Sequence, residues 1–513
     1  MTISSNAASR YTQLESDRQS FLDRAREAAL LTIPSLMVPE GHTSASKLQT
    51  PFQGLGARGV NHLGSKLMLA LFPPNAPFFK LPLDDKTLSE MTDDEALRSK
   101  IEEALNKVER SVVREIEASK MRSGLYEAIK QLIVVGNVLL YFPRKGGIRI
   151  FRLDRFVVLR DPMGEILEIV VKEDIAPTAL PKEVKDAIQS EGKNSLDTER
   201  SVALYTWIRR TDTDWKIHQE AKDITIPGSE GSYALDQNPW VPLRWTRIDG
   251  ESYGRSHCDE YLGDLKSLEG LSKAIVEGTA AAARVIPLVD PNGITDERDL
   301  STAENLEFVS GREQDVSILQ IARAVDFNVA RETAAEIAQR LSFAFMLNSA
   351  IQRGGERVTA EEIRYMAGEL EDALGGVYTI LAQELQLPLV SRVMQNMQRA
   401  KKLPKLPNGA VTPTITTGLE ALGRGHDLQK LDLFLAGLAN VLGQEALQAE
   451  LNGAEYITRR ATALGINTTG LLKTEEQKAA DQQQQQMLAL IQQLGPNIIN
   501  QLGGMAQNTS GDA

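Results

Sequence analysis

Thr279-Ala280-Ala281-Ala282-Ala283-Arg284 closes a helical pattern that opens near Asp259, and alanine is the residue that loses least on entering a helix. A segment from Val285 to Val325 follows with strand and turn signals, among them Asp290-Pro291-Asn292-Gly293. Helical spacing returns from about Phe327 to Leu347, where Ala330, Ala334, Ile337, Leu341 and Phe345 recur by three and four. The chain thus reads as helix, small excursion, helix.

Working outward toward the N-terminus, a helix is expected from about Tyr11 to Leu31, with Leu14, Phe21, Leu22, Ala25 and Ala29 on one side and Pro34 as its stop. A second is expected from Leu55 to Phe72. The clearest amphipathic stripe is Leu97, Ile101, Leu105, Val108, Val112, Ile116, behind the capping-box spacing of Thr92-Asp93-Asp94-Glu95. From Val138 the period becomes two: Val138 to Phe142, Ile148 to Leu153, Phe156 to Leu159 and Ile166 to Val171 read as short strands, with Asp161-Pro162-Met163-Gly164 as a turn. A β-rich insert therefore runs from about Val138 to Thr246. On the C-terminal side, Arg353-Gly354-Gly355-Glu356-Arg357 breaks the pattern before a helix start at Thr359-Ala360-Glu361-Glu362. Further helices fill Leu419 to Leu464, and the last forty or so residues, with Gln482 to Gln486, are of low complexity. The fold class is α+β, mainly helical.

A chain of 513 residues exceeds what one core holds, so about two to four units are expected. Apolar and charged fractions of 42% and 25% are those of a soluble protein, and no apolar run nears the ~20 residues of a membrane span. Thr2, Ser4, Ser5 and Asn6 give no basic-then-apolar leader, so folding in a reducing cytoplasm is expected. Cys258 is the only cysteine, which excludes an intrachain disulfide and a multi-cysteine zinc site. The net charge of −12 argues against a permanent nucleic-acid clamp, which needs concentrated Lys and Arg. It is compatible with contact to DNA that must keep sliding.

Motifs for chemistry are weak. Gly54-Leu55-Gly56-Ala57-Arg58-Gly59 matches a dinucleotide-binding spacing, but Leu48 to Gln53 before it do not read as a buried strand. The simpler reading is that these glycines let a helix start and pack closely on another backbone. No phosphate-binding loop of the Gly-rich Lys-Ser/Thr kind occurs, so any energy for moving a substrate comes from another protein. Ser256-His257-Cys258 groups three reactive types, yet sequence neighbours seldom point at one another as nucleophile and base must. Asp212 and Asp214 lack the rest of a calcium loop, and the five histidines have no metal-ligand spacing. Neither a metal nor a cofactor is expected, and an enzyme acting on nucleic acid, the competing reading, has no motif to support it.

Longer strings carry a resemblance. Gln49-Thr50-Pro51-Phe52-Gln53-Gly54-Leu55-Gly56-Ala57-Arg58-Gly59 and Ser65 to Pro73 look like the N-terminal signature of portal proteins, the head-to-tail connectors of short-tailed phages. Asp249 to Ser256 with Glu260 to Leu265, and Arg340 to Ala350 with Gly355 to Tyr365, resemble further family segments, so the similarity spans about Tyr11 to Glu476. The resemblance implies a ring, typically of about a dozen subunits, with a central channel. Its parts would be a wing (1–258), a first stem helix (259–284), a clip (285–326) and a second stem helix (327–348). A tunnel loop (349–358), a long wing helix and wing (359–418), a crown (419–475) and a tail or barrel (476–513) would follow.

It further implies double-stranded DNA in transit, a terminase motor, tail adaptors, major capsid and scaffolding proteins as partners, and no membrane. The protein would reside at the portal vertex of the virion after synthesis in the host cytoplasm, and would initiate capsid assembly. In a ring each side chain becomes an annulus. If Arg353 to Arg364 is at least partly helical, offsets of four and eleven residues put Arg353, Arg357 and Arg364 on one side, and the resemblance to the family's tunnel loop implies that this side faces DNA beside the Gly354-Gly355 hinge. Pairing with Glu356, Glu361 or Glu362 is the equal alternative. The clip segment is acidic through Asp290, Asp296, Glu297, Asp299, Glu304, Glu307, Glu313 and Asp315 against Arg298 and Arg312, either as a DNA-repelling channel end or as a docking face.

Overall fold

In the computed structural model, residues 6–43, 45–74, 77–82, 95–144, 146–190, 201–282, 286–319, 324–347, 373–403, 413–415, 433–441, 443, 451, 453 and 456–457 are described. They fall into two units, Met1–Ala421 and Leu422–Ala513. In the second, described residues 433–441 are helical and leave Leu433, Phe434 and Val441 exposed.

The first unit is α+β. Helix α1 (Ala7–Leu30) is capped by Asn6, whose side chain accepts from the Ser9 amide at 2.7 Å. Leu14, Leu22, Ala25 and Ala29 are buried, as their spacing predicts. Helix α2 (Leu55–Leu71) precedes β1 (Phe79–Lys80), α3 (Glu95–Ala118) and α4 (Met121–Val135). Leu105, Val108, Val112 and Ile116 of α3 face the core, while the capping residues Thr92 to Asp94 lie outside the described residues. Gly136 ends α4 at φ 80°, donating to the Gln131 and Leu132 carbonyls.

The β-rich block contains β2 (Asn137–Tyr141), β3 (Arg149–Phe151), β4 (Phe156–Arg160) and β5 (Ile166–Ile175), the short helix α5 (Lys182–Ser190), then β6 (Val202–Arg210), β7 (Asp214–Ala221), β8 (Ile224–Thr225), β9 (Gly231–Ala234) and β10 (Trp240–Arg244). Six strands form one antiparallel sheet in the order β4-β5-β6-β7-β8, with β9 also on β7. The turn Asp161 to Gly164 closes by the Gly164 amide on the Asp161 carbonyl at 2.9 Å, with Gly164 at φ 89°. A second sheet has the order β10-β2-β3. Its central strand β2 is buried on both faces from Asn137 to Leu140, which is why its apolar run is continuous rather than alternating.

After the sheets come α6 (His257–Glu260), α7 (Leu262–Ala282), the hairpin strand β11 (Ile286–Val289), the short helix α8 (Glu297–Thr302), β12 (Val316–Leu319) and α9 (Ala324–Ala344). Residues 373–381 are helical, turn once as a π-helix at Ala382–Gln386, and continue as α10 (Leu387–Arg399). Strand β13 (Thr414–Ile415) returns to pair with β1. The helix expected to start at Asp259 is broken at Tyr261, whose φ of −112° leaves the helical region. The one expected to end at Leu347 stops at Ala344, where Met346 adopts φ 56° and the Leu347 amide reaches the Ser342 carbonyl at 2.7 Å.

Candidate functional site

The two long helices α7 and α9 pack on each other, tied near one end by Arg340 Nη2 to Asp264 Oδ1 at 2.8 Å. Between them the excursion has a two-stranded neck, in register from Ile286↔Leu319 to Val289↔Val316. Above the neck the loop is organised around Asp315. Its Oδ2 accepts from the Ile294 amide at 3.0 Å and from Thr295 Oγ1 at 2.9 Å, and its carbonyl accepts from the Asp290 amide at 2.8 Å. Thr295 Oγ1 accepts in turn from the Arg312 amide at 2.9 Å. A Cβ on Gly293 would lie 2.6 Å from Asp315 Cγ, so the turn needs glycine there.

Several of the acidic residues therefore have structural roles: Asp315 holds the loop, Asp290 accepts from the Asn292 amide at 2.9 Å, and Asp296 caps α8 by accepting from the Arg298 amide at 2.8 Å. Glu297 and Asp299 occupy the first turn of α8, where the helix dipole favours negative charge. Glu307 Oε2 accepts from the Glu304 amide at 2.7 Å. Glu297, Asp299, Glu304, Glu307 and Glu313 are exposed. Among them project Leu306 and Phe308, 92% and 103% exposed. Sequence reasoning passed over this pair, whose signal is apolar residues inside an acidic run. Arg353, Gly354, Gly355, Arg357 and Arg364 lie outside the described residues.

The end of α9 is clamped from two sides. Lys66 Nζ of α2 donates to the Met346 carbonyl at 3.3 Å, and His257 Nε2 donates to the Ala344 carbonyl at 3.0 Å. Phe345 lies edge-on to His257 and against Gly59, where an added Cβ would come within 2.5 Å of Phe345 Cγ. Burial pushes the His257 pKa below its ordinary value, so the ring is a neutral donor. Ser256 caps α6 by accepting from the Asp259 amide at 3.0 Å, and Cys258 is fully buried, its thiol pushed far up by burial. All three side chains of the Ser-His-Cys string are thus engaged in packing or capping, and a buried protonated thiol is no nucleophile.

The glycine-rich string is structural too. Gln53 donates through Nε2 to the Leu31 carbonyl at 2.6 Å and accepts from the Gly56 amide at 2.8 Å, capping α2. Glu269 of α7 accepts from the amides of Phe52 and Gln53 at 2.9 and 3.1 Å. Gly56 sits where a Cβ would be 2.6 Å from the Leu31 carbonyl oxygen. Gly56 and Gly59 serve close packing, while Gly54 stands at the start of α2 with open space beside it. Asp214 accepts from Thr211 Oγ1 within a turn. Among the described residues no cluster of three metal-ligating side chains exists, and no helix is long and apolar enough to cross a membrane.

Residues 4–472 match the family described as bacteriophage head to tail connecting protein, and the chain belongs to that family. It is 46% identical over 479 residues to the portal protein of Enterobacteria phage T3, covering 92% of this chain and 89% of that one. It is 45% identical to the portal protein of Escherichia phage T7 over the same shares, and 30% identical to that of Pseudomonas phage phiKMV, over 89% of this chain and 90% of the relative. Among solved structures, a chain in the neck of an empty gene transfer agent particle aligns with 81% of this chain and 90% of its own at 14% identity, with a TM-score of 0.37. Membership of this family makes the chain a structural protein of the phage particle, not an enzyme.

Proposed function

We propose that the chain is one subunit of a ring of about a dozen copies at one capsid vertex, a conduit through which double-stranded DNA is packaged and ejected. In this reading α7 and α9 are the stem and the hairpin excursion between them is the clip. The N-terminal helices with the β-rich block form the wing, residues 349–358 the tunnel loop, and the segment after residue 419 the crown. The observation that carries it is the long-helix pair. The half of it toward the excursion leaves Val276 and Val329 53% and 60% exposed and Ala280 open. A pair of helices so thinly covered in one chain is completed by neighbouring subunits. The names of the relatives support the same reading.

The exposed face of the excursion, acidic with Leu306 and Phe308 exposed among its carboxylates, then serves as the docking platform, first for the terminase motor and later for tail adaptors. Scaffolding and major capsid proteins meet the ring as it initiates assembly. Native mass measurement of the purified protein tests the ring: particles of about a dozen subunits are expected, and a species no larger than a dimer at every concentration and salt contradicts it. For the channel, Arg353→Ala and Arg357→Ala should leave rings intact while altering packaging or genome retention. Arg→Lys should be milder, and the defect should vary with salt as phosphate contacts do. Wild-type packaging by the Arg353, Arg357, Arg364 triple alanine variant would remove these residues from the constriction.

A further inference from the structure

Three elements far apart in the chain meet at a pair of guanidinium groups, that of Arg244 buried and that of Arg160 partly so. Arg160 ends β4, Arg244 ends β10, and Glu384 lies in the π-helical turn before α10. Arg160 donates through Nη1 to the Gly164 carbonyl at 3.0 Å and through Nη2 to the Pro242 carbonyl at 2.9 Å, joining the two sheets. Arg244, 2% exposed, donates through Nη2 to Glu384 Oε1 at 2.8 Å. Arg160 Nε, Arg244 Nε and Nη1, and Glu384 Oε2 are buried without a hydrogen-bond partner among the described residues.

Counting charge at this junction gives two guanidinium groups against one carboxylate. Arg247 nearby is exposed to solvent, and Glu165 is taken by Arg210 at 3.0 Å. Neither cancels the surplus. Arginine does not give up its proton near neutral pH, so one positive charge is left uncancelled at a largely buried junction where three buried N–H groups are unmet. A water molecule would answer the N–H groups and leave the charge, whose burial is the costlier part. The Arg160 pKa is pushed down to about 10 by burial and then by Arg244, in keeping with an excess of positive charge.

We propose that Arg160 and Arg244 together hold a small inorganic monoanion of chloride size where β4, β10 and the π-helical turn meet. The anion accepts from Arg244 Nη1 and Arg160 Nε, and a water in the same shell accepts from Arg244 Nε and donates to Glu384 Oε2. Its binding stabilises the junction by mass action and fixes the turn carrying Glu384 and Gln386 against the sheets. Gln386 Nε2 already anchors that turn to the Leu71 carbonyl.

The test uses the full-length protein, melted in sodium chloride, bromide or gluconate at one ionic strength, and crystals grown in bromide. A saturable rise in Tm with halide but not with gluconate is expected, together with an anomalous bromide peak between the two guanidinium groups. Arg160→Gln should abolish the halide-specific rise, and Arg160→Lys should keep it at higher halide concentration. If Arg160→Gln does not fold, the bromide peak and the wild-type halide dependence decide. Equal Tm in all three salts with no bromide peak, or a water or a carboxylate of a second copy at that place, overturns the proposal.

Discussion

Gly59 is the position at which α2 touches the end of α9, and the contact leaves no room for a side chain. Gly59→Ala puts a Cβ 2.5 Å from Phe345 Cγ, and overpacking of this kind costs about 1–3 kcal/mol. Urea denaturation should show the loss, and Phe345→Leu in the same chain should recover part of it, since touching residues are not additive. His257 makes the neighbouring contact depend on pH. Its folded pKa lies below the ordinary 6.5, so the unfolded chain takes up the proton first as pH falls. Stability is therefore unaffected by this group at higher pH and declines as pH drops through 6.5 toward the folded value. Denaturation midpoints from pH 8 to pH 5 should follow that course, and His257→Gln should flatten it. Cys258, buried with its thiol pushed up, should resist a thiol reagent until the protein is unfolded.

The excursion between α7 and α9 depends on one carboxylate. Asp315→Ala removes the acceptor of the Ile294 amide and of Thr295 Oγ1, a loss of about 1–3 kcal/mol where partners are left unmet. Hydrogen exchange should rise at residues 290–295 and 312–316 and stay unchanged in α2 and α4; faster exchange in α4 would refute a role local to the loop. Alternation between helix and excursion was legible in the sequence because an alanine-rich, 3.6-residue pattern is interrupted once by turn chemistry and then resumes. The strands were legible as a block, but not in their order, because β2 pairs with β10 across the whole insert and local period does not report distant partners. The end of α9 was misjudged by three residues because its left-handed cap is Met346 and not glycine. At the acidic segment, composition disclosed the charge but not that Asp296 and Asp315 satisfy backbone groups, which only the loop geometry reveals. The surplus charge at Arg160 and Arg244 was invisible for the same reason as the strand order: its members come from three distant segments.

At the scale of the molecule, the exposed apolar positions on the helix pair separate folding from assembly. Val276→Glu or Val329→Glu, at positions half or more exposed, should change subunit stability by no more than about 0.5 kcal/mol. Sedimentation should nevertheless show the loss of rings; intact rings would mean that subunits meet elsewhere. The return of the chain to its beginning sets a clock on that assembly. Tyr378 and Gln386 donate to the carbonyls of Ala70 and Leu71, the latter across 315 residues, and β13 supplies the partner of β1. At ribosomal speeds of ~5–20 residues per second, α2 waits roughly a quarter of a minute to a minute for those groups to be synthesised. Throughout that interval the nascent subunit holds an incomplete wall, so neighbours translated from one message cannot yet dock on its finished form. On the proposed reading, docking of neighbours waits at least until residues 378–386 have been synthesised, and a product ending before residue 378 lacks both of these donors.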